Sequence, residues 1–450
     1  MTFRRARRIS FSLLVCGASA ALFALQPRAS TAKRVSGNLV FWDQDRGFDA
    51  IVTNADLFTE VSPFWYRVDT GGRVVPYTTA AGTTYEDPTI ISFLRAHGIL
   101  VIPTVANILD GVWNGSLVSS IIADPALAGA NISSLVDLAV GRSYDGIDLD
   151  YENLTARDRA PFTSFVTQLA AALHTRGKLL TLNVYAKTAE PGTWDGPRAQ
   201  DWWALGQIAD QVRIMTYEYS WSTSAAGPIS PINWVTDVIA FARTMIPAAK
   251  IMEGVPFYGY DWVGTRGTDL VWTDATALAS RYSATINWDS ASASPWFQYV
   301  VKSTRHTVWF ENAASVTAKL AVTTAYDIGG VALWRLGGED PGNWPALRSQ
   351  FGGAPPPPDV IPPTVRITSP ADGATLGRKQ TISADAVDDV RVSRVDFYVN
   401  GSLLATDTQA PYAVTWTTRK TLPAVNTIAV VAYDSSNNTA TARVTAYSAH

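Results

Sequence analysis

The chain has 450 residues, of which 47% are hydrophobic and 17% are charged, and its formal net charge is -3. This length allows one large domain with a sizeable core and a second, smaller domain. A mildly acidic chain lacks the basic surface that displaces counterions from phosphates. Nucleic-acid binding is therefore not expected.

Residues 1–32 have the layout of a secretory signal peptide. Arginines precede an apolar run from Phe11 to Leu25, and this run is too short to favour a membrane-spanning helix. The pair Arg7 and Arg8 leaves twin-arginine export open beside the general route. The single cysteine, Cys16, lies inside the leader, so no disulfide or thiol chemistry is expected afterwards. We expect a secreted or cell-envelope protein with no stable membrane insertion once the leader is cleaved.

Short apolar segments alternate with segments of helical periodicity up to residue 353. The predicted strands are Leu39 to Trp42, Leu57 to Tyr66, Ile99 to Val105, Gly146 to Tyr151, Leu179 to Tyr185, Gln211 to Tyr217, Lys250 to Tyr258 and Gly330 to Trp334. Eight such units favour a closed (β/α)8 TIM barrel over residues 33–353, rather than an open doubly wound sheet. No dinucleotide or P-loop fingerprint follows the first strand, and no cofactor is expected.

The interval between the seventh and eighth strands is long enough for a small α+β insertion at about residues 263–325. Its tryptophans, Trp288, Trp296 and Trp309, are candidates either for a cleft wall or for the insertion's own core. Both interpretations stay open at the level of sequence.

A proline-rich stretch at residues 354–363 is typical of an extended spacer. After it, residues 364–450 form short alternating segments, and Asn400-Gly401 is a strong hairpin-turn signal between two of them. The pattern predicts an all-β immunoglobulin-like sandwich without a disulfide. Its role as a spacer or as a glycan anchor stays open.

The stretch DGIDLDYE, residues 145–152, places acidic residues inside a predicted buried strand. Side chains alternate faces on a strand, so Asp148, Asp150 and Glu152 share one face. In a barrel this face points inward near the C-terminal ends of the strands, where active sites of the fold lie. We expect the crowding to raise the pKa of Glu152 and keep it protonated as a general acid for glycosidic bond cleavage.

Two alternatives compete with an acid catalyst. Clustered carboxylates could bind a metal, but none of the four histidines lies near this strand and no calcium-loop spacing surrounds it, so no metal is expected. A purely structural cluster is disfavoured because inward charges without partners destabilise a fold.

At this strand the sequence resembles glycoside hydrolase family 18, whose signature Asp-Gly-x-Asp-x-Asp-x-Glu is met in full. The resemblance covers roughly residues 37–350 and is closest to the branch of spore-cortex and cell-wall N-acetylglucosaminidases. It is carried further by Met215-Thr216-Tyr217, by Gly254 to Trp262, and by Leu333 to Gly337 with Glu339-Asp340-Pro341.

The resemblance implies substrate-assisted catalysis with retention of configuration. Glu152 is expected to protonate the leaving oxygen, Asp150 to orient the substrate's 2-acetamido group, and Asp148 to tune Asp150. Tyr217 is expected to donate a hydrogen bond to the acetamido oxygen. The expected substrate contacts are Asp145, Met215, Glu218, Tyr258 and Trp334, with Trp42, Asn183 and Tyr185 as weaker candidates for the pocket wall.

One residue departs from the family pattern, because Glu218 follows Tyr217 where an aspartate is usual. The expected substrate is a β-1,4-linked N-acetylglucosamine glycan, either peptidoglycan or chitin, and the expected state is a monomer. The sequence does not separate these polymers, nor endo from exo attack. A non-catalytic glycan-binding protein of the same fold is the alternative function, although the acid at Glu152 is intact.

Overall fold

The computed structural model describes residues 33–353, 359–388, 391–418 and 423–448. The predicted signal peptide and residues 354–358 of the predicted spacer lie outside the described residues. Before the insertion, twelve strands are described: β1 (Arg34–Val40), β2 (Glu60–Phe64), β3 (Tyr66–Val68), β4 (Val74–Pro76), β5 (Leu100–Val101), β6 (Thr104–Ala106), β7 (Ile108–Leu109), β8 (Val112–Trp113), β9 (Gly146–Asp150), β10 (Leu179–Tyr185), β11 (Gln211–Met215) and β12 (Ile251–Pro256).

A separate antiparallel sheet follows between the seventh and eighth barrel strands. Its strands are β13 (Tyr258–Val263), β14 (Arg266–Val271), β15 (Asn287–Asp289), β16 (Ser294–Val301) and β17 (Thr304–Trp309), in the order β14-β13-β17-β16-β15. Trp296 and Trp309 stack at 5.6 Å between ring centroids, while Trp288 is exposed. Trp309 also packs against the aromatic side chains of β13, so it joins the insertion to the barrel mouth.

The last barrel strand, β18 (Gly330–Trp334), pairs in parallel with both β12 and β1. The second and third barrel strands are each broken into two pieces: β2 pairs with β5, and β3 pairs with β6. Since β6 then pairs with β9, the parallel ladder runs around the full ring and closes. The predicted (β/α)8 barrel is confirmed.

Helices surround the ring and cover its outer face. They are α1 (Gln44–Thr53), α2 (Pro88–Ala96), α3 (Gly115–Ala123), α4 (Pro125–Gly141), α5 (Arg159–His174), α6 (Asp195–Arg198), α7 (Trp202–Ile208), α8 (Ile232–Met245), α9 (Trp272–Arg281), α10 (Ala313–Ala325) and α11 (Asn343–Phe351), of which α9 belongs to the insertion. Local sequence sets the start of α4. The Asp124 carboxylate accepts from the backbone N–H groups of Ala126 and Leu127, and Pro125 takes the first helical position.

The main core lies between the barrel strands and this helical layer. On α5, Phe162, Phe165, Val166, Leu169 and Leu173 recur at helical spacing and are buried against the strands. No single helix of the described ranges is long and apolar enough to span a bilayer; α3 and α4 reach that length only as a pair bent by 110°.

The C-terminal region is a sandwich of two antiparallel sheets with one parallel edge pairing. Its strands are β19 (Thr364–Ser369), β20 (Ala374–Leu376), β21 (Lys379–Val387), β22 (Val392–Val399), β23 (Ser402–Asp407), β24 (Tyr412–Thr417), β25 (Val425–Asp434) and β26 (Thr439–Ser448). Asn400 and Gly401 have φ of 50° and 81° and turn β22 into β23, as a two-residue hairpin requires. The predicted all-β sandwich is confirmed.

Candidate active site

Strand β9 carries the acidic signature and presents its two kinds of side chain to opposite sides. Ile147 and Leu149 are fully buried in the core beneath the helices. Asp148 and Asp150 face the barrel interior, where they are also buried, at 0% and 5% exposure. The alternation of a strand therefore places the acids on one line toward the mouth, the open end of the barrel at the C-terminal ends of its strands.

Asp148 is saturated with hydrogen-bond donors. Its Oδ1 accepts from the Thr181 hydroxyl at 2.5 Å, and its Oδ2 accepts from Thr104 at 2.8 Å and from the Asn183 amide at 2.9 Å. The Arg213 guanidinium lies 3.1 Å from Oδ1. Every partner is a donor or a cation, which is the surrounding that suits an ionised carboxylate.

Below Asp148 lies what we call the floor network, which consists of Glu60, Ser62, Gln211 and Arg213. Arg213 donates to Glu60 Oε1 at 2.8 Å and to the Ser62 hydroxyl at 2.7 Å, and Gln211 donates to Glu60 Oε2 at 2.7 Å. Glu60 and Arg213 are each 1% exposed. Because β2 and β11 are not neighbours in the ring, the network crosses the barrel interior.

Asp150, two residues further along the strand, lacks such partners. Its Oδ1 is buried and accepts no hydrogen bond from any described residue. Burial raises the pKa of Asp150 well above its usual value, and the charges of Glu152 and Asp148 raise it further, while Arg213 lowers it. A buried acceptor next to the mouth is thus left without a protein donor.

Glu152 is partly buried at the mouth, and its backbone is fixed by Asn107. The Asn107 amide accepts from the Glu152 N–H at 2.9 Å and donates to the Glu152 carbonyl at 2.8 Å. The Tyr185 hydroxyl donates to the Glu152 carboxylate at 2.6 Å. The third acid of the signature is therefore held from two neighbouring strands.

Burial raises the pKa of Glu152 to about 7, and the nearby charge of Glu218 raises it too, while the hydrogen bond from Tyr185 lowers it. The direction agrees with the sequence-based expectation, but the cause differs. Repulsion from Asp148 and Asp150 was expected to dominate, whereas desolvation is the largest contribution. Exclusion of water is therefore the main reason why Glu152 holds its proton to a higher pH than a free glutamate.

Tyr217 lies beside these acids. Its pKa is raised by burial first and then by the charges of Asp150 and Glu152. The ring passes over Gly254 of β12, where an added Cβ would stand 2.8 Å from a Tyr217 ring carbon. Glycine at this position leaves the space that the ring occupies.

Trp334 ends β18 and shares an aromatic cluster with Tyr217 and Tyr258. Trp42, which is 50% exposed, lies edge-on to Trp334 with 6.5 Å between ring centroids. The two indoles give the mouth an aromatic wall.

Glu218 accepts hydrogen bonds from two hydroxyls of β13. Tyr260 donates at 2.7 Å, and Tyr258 donates to the same oxygen. The residue is exposed as a whole, but its carboxylate lies among these rings, and the resulting desolvation raises its pKa. The Tyr258 hydroxyl, predicted to contact substrate, thus donates its hydrogen bond to Glu218.

The remaining predicted residues are placed differently. Met215 is the last residue of β11 and is partly buried, two residues before Tyr217. Asn183 contacts Asp148 and supports it, rather than forming an open wall. Asp145 precedes β9, and its carboxylate accepts from the Val101 N–H at 2.8 Å near the N-terminal end of the strands. The structure does not bring Asp145 together with the other predicted site residues, because the mouth is at the opposite end of β9.

Sequence reasoning missed Asn107 and Arg213, which hold the acidic strand from outside its motif. Asn107 directly follows β6, so a polar residue at the end of a predicted strand was a usable signal. Arg213 lies inside a segment predicted as a strand, and an arginine among apolar residues there was a signal for an internal partner. Trp194, 47% exposed and 4.6 Å from Tyr185 between ring centroids, was also missed.

A closed barrel with acidic side chains at the C-terminal ends of its strands is an arrangement that glycoside hydrolases use. The sequence matches the family described as glycosyl hydrolases family 18 over residues 111–339, just over half of the chain. The chain belongs to this family and is a glycoside hydrolase. Residues 363–446 match a bacterial Ig domain, in agreement with the sandwich.

Solved structures and curated relatives agree with this assignment. A chitinase from Chromobacterium violaceum ATCC 12472 is 30% identical, with a TM-score of 0.66, covering 72% of this chain and 100% of that one. The spore cortex-lytic enzyme SleL of Bacillus cereus is 26% identical, with a TM-score of 0.64, covering 71% and 75%. A cortical fragment-lytic enzyme of Bacillus subtilis (strain 168) is 29% identical over 304 residues, covering 65% and 68%. The predicted family and branch are confirmed, and the family implies N-acetylglucosamine-containing glycans as ligands.

Proposed function

We propose that this chain is a retaining hydrolase of β-1,4-linked N-acetylglucosamine glycans that acts as a monomer outside the cytoplasm. The expected signal peptide at residues 1–32 and the wall-lytic and chitinase relatives support the location and substrate class. The observation that carries the proposal is the pairing of a Glu152 whose pKa is raised to about 7 with an Asp150 whose inward oxygen has no donor among the described residues.

In the proposed first step, Glu152 gives its proton to the glycosidic oxygen while the bond from that oxygen to the anomeric carbon breaks. The carbonyl oxygen of the substrate's own 2-acetamido group attacks the anomeric carbon and forms an oxazolinium ion. Asp150 accepts the acetamido N–H and stabilises the developing positive charge, and the Tyr217 hydroxyl orients the acetamido oxygen. Trp334 packs against the apolar face of the sugar.

In the second step, the Glu152 carboxylate takes a proton from water as the water oxygen attacks the anomeric carbon. The oxazolinium ring opens, the acetamido group is restored, and Glu152 is protonated again. Two inversions at one carbon give net retention. The floor network and Asp148 hold the acidic strand in position without contacting the sugar.

Replacing the acid tests the proposal. The variant Glu152→Gln keeps the shape and removes the proton donor, so turnover of chitin oligomers and of purified peptidoglycan should fall by about 10²- to 10⁴-fold with an unchanged melting temperature. The exposed Asp137→Asn on α4 is the matched control. Undiminished turnover in Glu152→Gln refutes the assignment, as does a wild-type protein that binds oligosaccharide but releases no reducing ends.

Substrate assistance has its own test. A glycan deacetylated at the sugar before the cleaved bond lacks the internal nucleophile and should be cleaved far more slowly at that bond. Equal cleavage of acetylated and deacetylated substrates rules out the oxazolinium route while leaving Glu152 as the acid. Mass spectrometry of the products identifies polymer and bond together.

A further inference from the structure

A cavity of about 400 Å³ opens beside the aromatic wall of the mouth, within the range of roughly 300–1,000 Å³ typical of small-molecule sites. Its lining residues are Phe41, Trp42, Arg67, Tyr77, Ile108, Asp110 and Gly111. Because Trp42 also lies against Trp334, the cavity adjoins the position proposed for the cleaved sugar. A polymeric substrate that fills the mouth therefore places its next sugar here.

Arg67 is the unusual residue of this lining. Its neighbours on β3, Tyr66 and Val68, are buried in the core under the helices, so the alternation of the strand turns Arg67 to the inner side. Its guanidinium is partly buried, and among the described residues it has neither an ion pair nor a side-chain hydrogen bond. The cation that lowers the pKa of Asp150 is Arg213 of the floor network rather than Arg67.

A second polar group of the cavity is also without a partner. The Tyr77 hydroxyl is buried and makes no hydrogen bond with the described residues. The charges of Arg67 and Asp150 both act on this hydroxyl, Arg67 lowering its pKa and Asp150 raising it, after burial as the largest, raising cause. The hydroxyl is therefore close enough to both groups to sense their charges. Buried polar groups normally find partners, and neither the Tyr77 hydroxyl nor the Arg67 guanidinium has one among the described residues.

We propose that this cavity binds a sugar bearing a carboxylate, with Arg67 pairing the carboxylate, the Tyr77 hydroxyl donating to it or to a sugar oxygen, and Trp42 packing on the ring. This inference rests on the proposed function and names its substrate. In peptidoglycan every second sugar carries a lactyl ether ending in a carboxylate, whereas chitin is neutral throughout. When N-acetylglucosamine occupies the cleavage position of peptidoglycan, both neighbouring sugars carry that group.

A planar guanidinium suits a carboxylate because it can donate two parallel hydrogen bonds to it. The exposed carboxylate of Asp110 on the β7–β8 turn is the one acidic group lining the cavity, and it lies at the rim. It forms no ion pair with Arg67 and leaves the guanidinium available. The cavity therefore favours peptide-free peptidoglycan strands over chitin.

The experiment compares kcat/KM of the full chain on peptide-free peptidoglycan oligomers and on chitin oligomers of equal length. Arg67→Gln should lower the ratio of the first value to the second by about 10- to 100-fold, the worth of a charge-assisted hydrogen bond. Arg67→Lys keeps the charge and should recover part of the ratio. The matched control is Arg73→Gln. Arg73 is exposed, lies between β3 and β4 and pairs with Asp69, so its replacement should leave the ratio unchanged.

Two further arms separate the outcomes. Glycans that retain the stem peptide have their lactyl carboxylate amidated, and their kcat/KM should respond less to Arg67→Gln. An equal loss on all substrates, or an unchanged ratio in folded Arg67→Gln, overturns the anion site. If the wild type cleaves neither polymer, the proposed function fails. In that case, calorimetry still tests Arg67. The affinity of Glu152→Gln for the peptidoglycan oligomers is compared with that of the double variant Glu152→Gln/Arg67→Gln, and equal affinities overturn the anion site.

Discussion

The floor network and the mouth lie next to each other inside one barrel, yet they treat buried carboxylates in opposite ways. In the floor network both oxygens of Glu60 accept from protein donors, and so do both oxygens of Asp148 directly above it. At the mouth, Asp150 keeps one buried oxygen without a donor. Satisfied charge fixes a strand in position, whereas unsatisfied charge keeps its affinity for a proton or a ligand. Under the proposed mechanism, this difference separates a supporting acid, Asp148, from a reacting one, Asp150, on a single strand.

Removing the cation of the floor network tests this comparison most severely. Arg213→Met leaves the buried carboxylates of Glu60 and Asp148 without their shared counter-charge, and breaking a buried pair costs about 3–5 kcal/mol of unfolding free energy. Urea denaturation measures the loss. Arg73→Met, which breaks an exposed pair, should cost less than about 1 kcal/mol. Equal stability of the two variants contradicts the assignment of the floor as support.

A fourth buried acid, Glu253 on β12, extends the comparison to the helix side of the barrel. It is 0% exposed and accepts one hydrogen bond, from Thr323 at 2.6 Å, and burial raises its pKa to about 8. Because the folded pKa exceeds the unfolded value near 4.5, the unfolded state releases the proton first as pH rises. Glu253 therefore lowers the free energy of unfolding progressively from about pH 4.5 to about pH 8.

The substitution Glu253→Gln removes this titration. Its unfolding free energy relative to the wild type should rise by about 1.4 kcal/mol per pH unit through that window and level off above it. Denaturation at pH 5, 6.5 and 8 measures the slope. A difference independent of pH would mean that Glu253 is ionised throughout.

The smallest effect is expected at Tyr185. Its hydroxyl favours the ionised form of Glu152, so Tyr185→Phe should raise the pKa of Glu152 and move the alkaline limb of kcat/KM to higher pH. With Glu152 as the proposed acid, this limb is expected near pH 7 in the wild type, since the acid must be protonated to act. Turnover should change by no more than about tenfold, the worth of one hydrogen bond. An unchanged alkaline limb contradicts the role of Tyr185, whatever happens to turnover.

The sequence predicts most of what depends on local periodicity. The alternation in residues 145–152 places the acids on one face, and the bounds predicted for the fifth and eighth strands agree with β10 and β18. Trp334 and Tyr217 are expected near each other because each follows a strand that ends at the mouth. Local pattern suffices here because a strand has only two faces.

The sequence does not predict contacts that depend on how distant strands align. Asn107 meets Glu152 across 45 positions, and Arg213 meets Glu60 across 153. The exact register of β6 against β9 decides the first pair, and the diameter of the closed barrel decides the second. For the same reason, desolvation rather than repulsion controls Glu152, because water exclusion depends on the whole mouth. The motif gives the spacing of Asp145 along the chain but not its contact with the Val101 N–H, which depends on how β5 lies beside β9.

The glycine beneath Tyr217 limits how this enzyme can be re-engineered. A side chain at position 254 would clash with the Ile214 carbonyl oxygen at 2.5 Å and with the Tyr217 ring at 2.8 Å, so randomising that position should yield inactive clones rather than new preferences. Trp42 and Arg67 instead line an open cavity, where a side chain of another size has space. A library aimed at altered glycan choice should therefore leave the base of the pocket untouched and diversify its side.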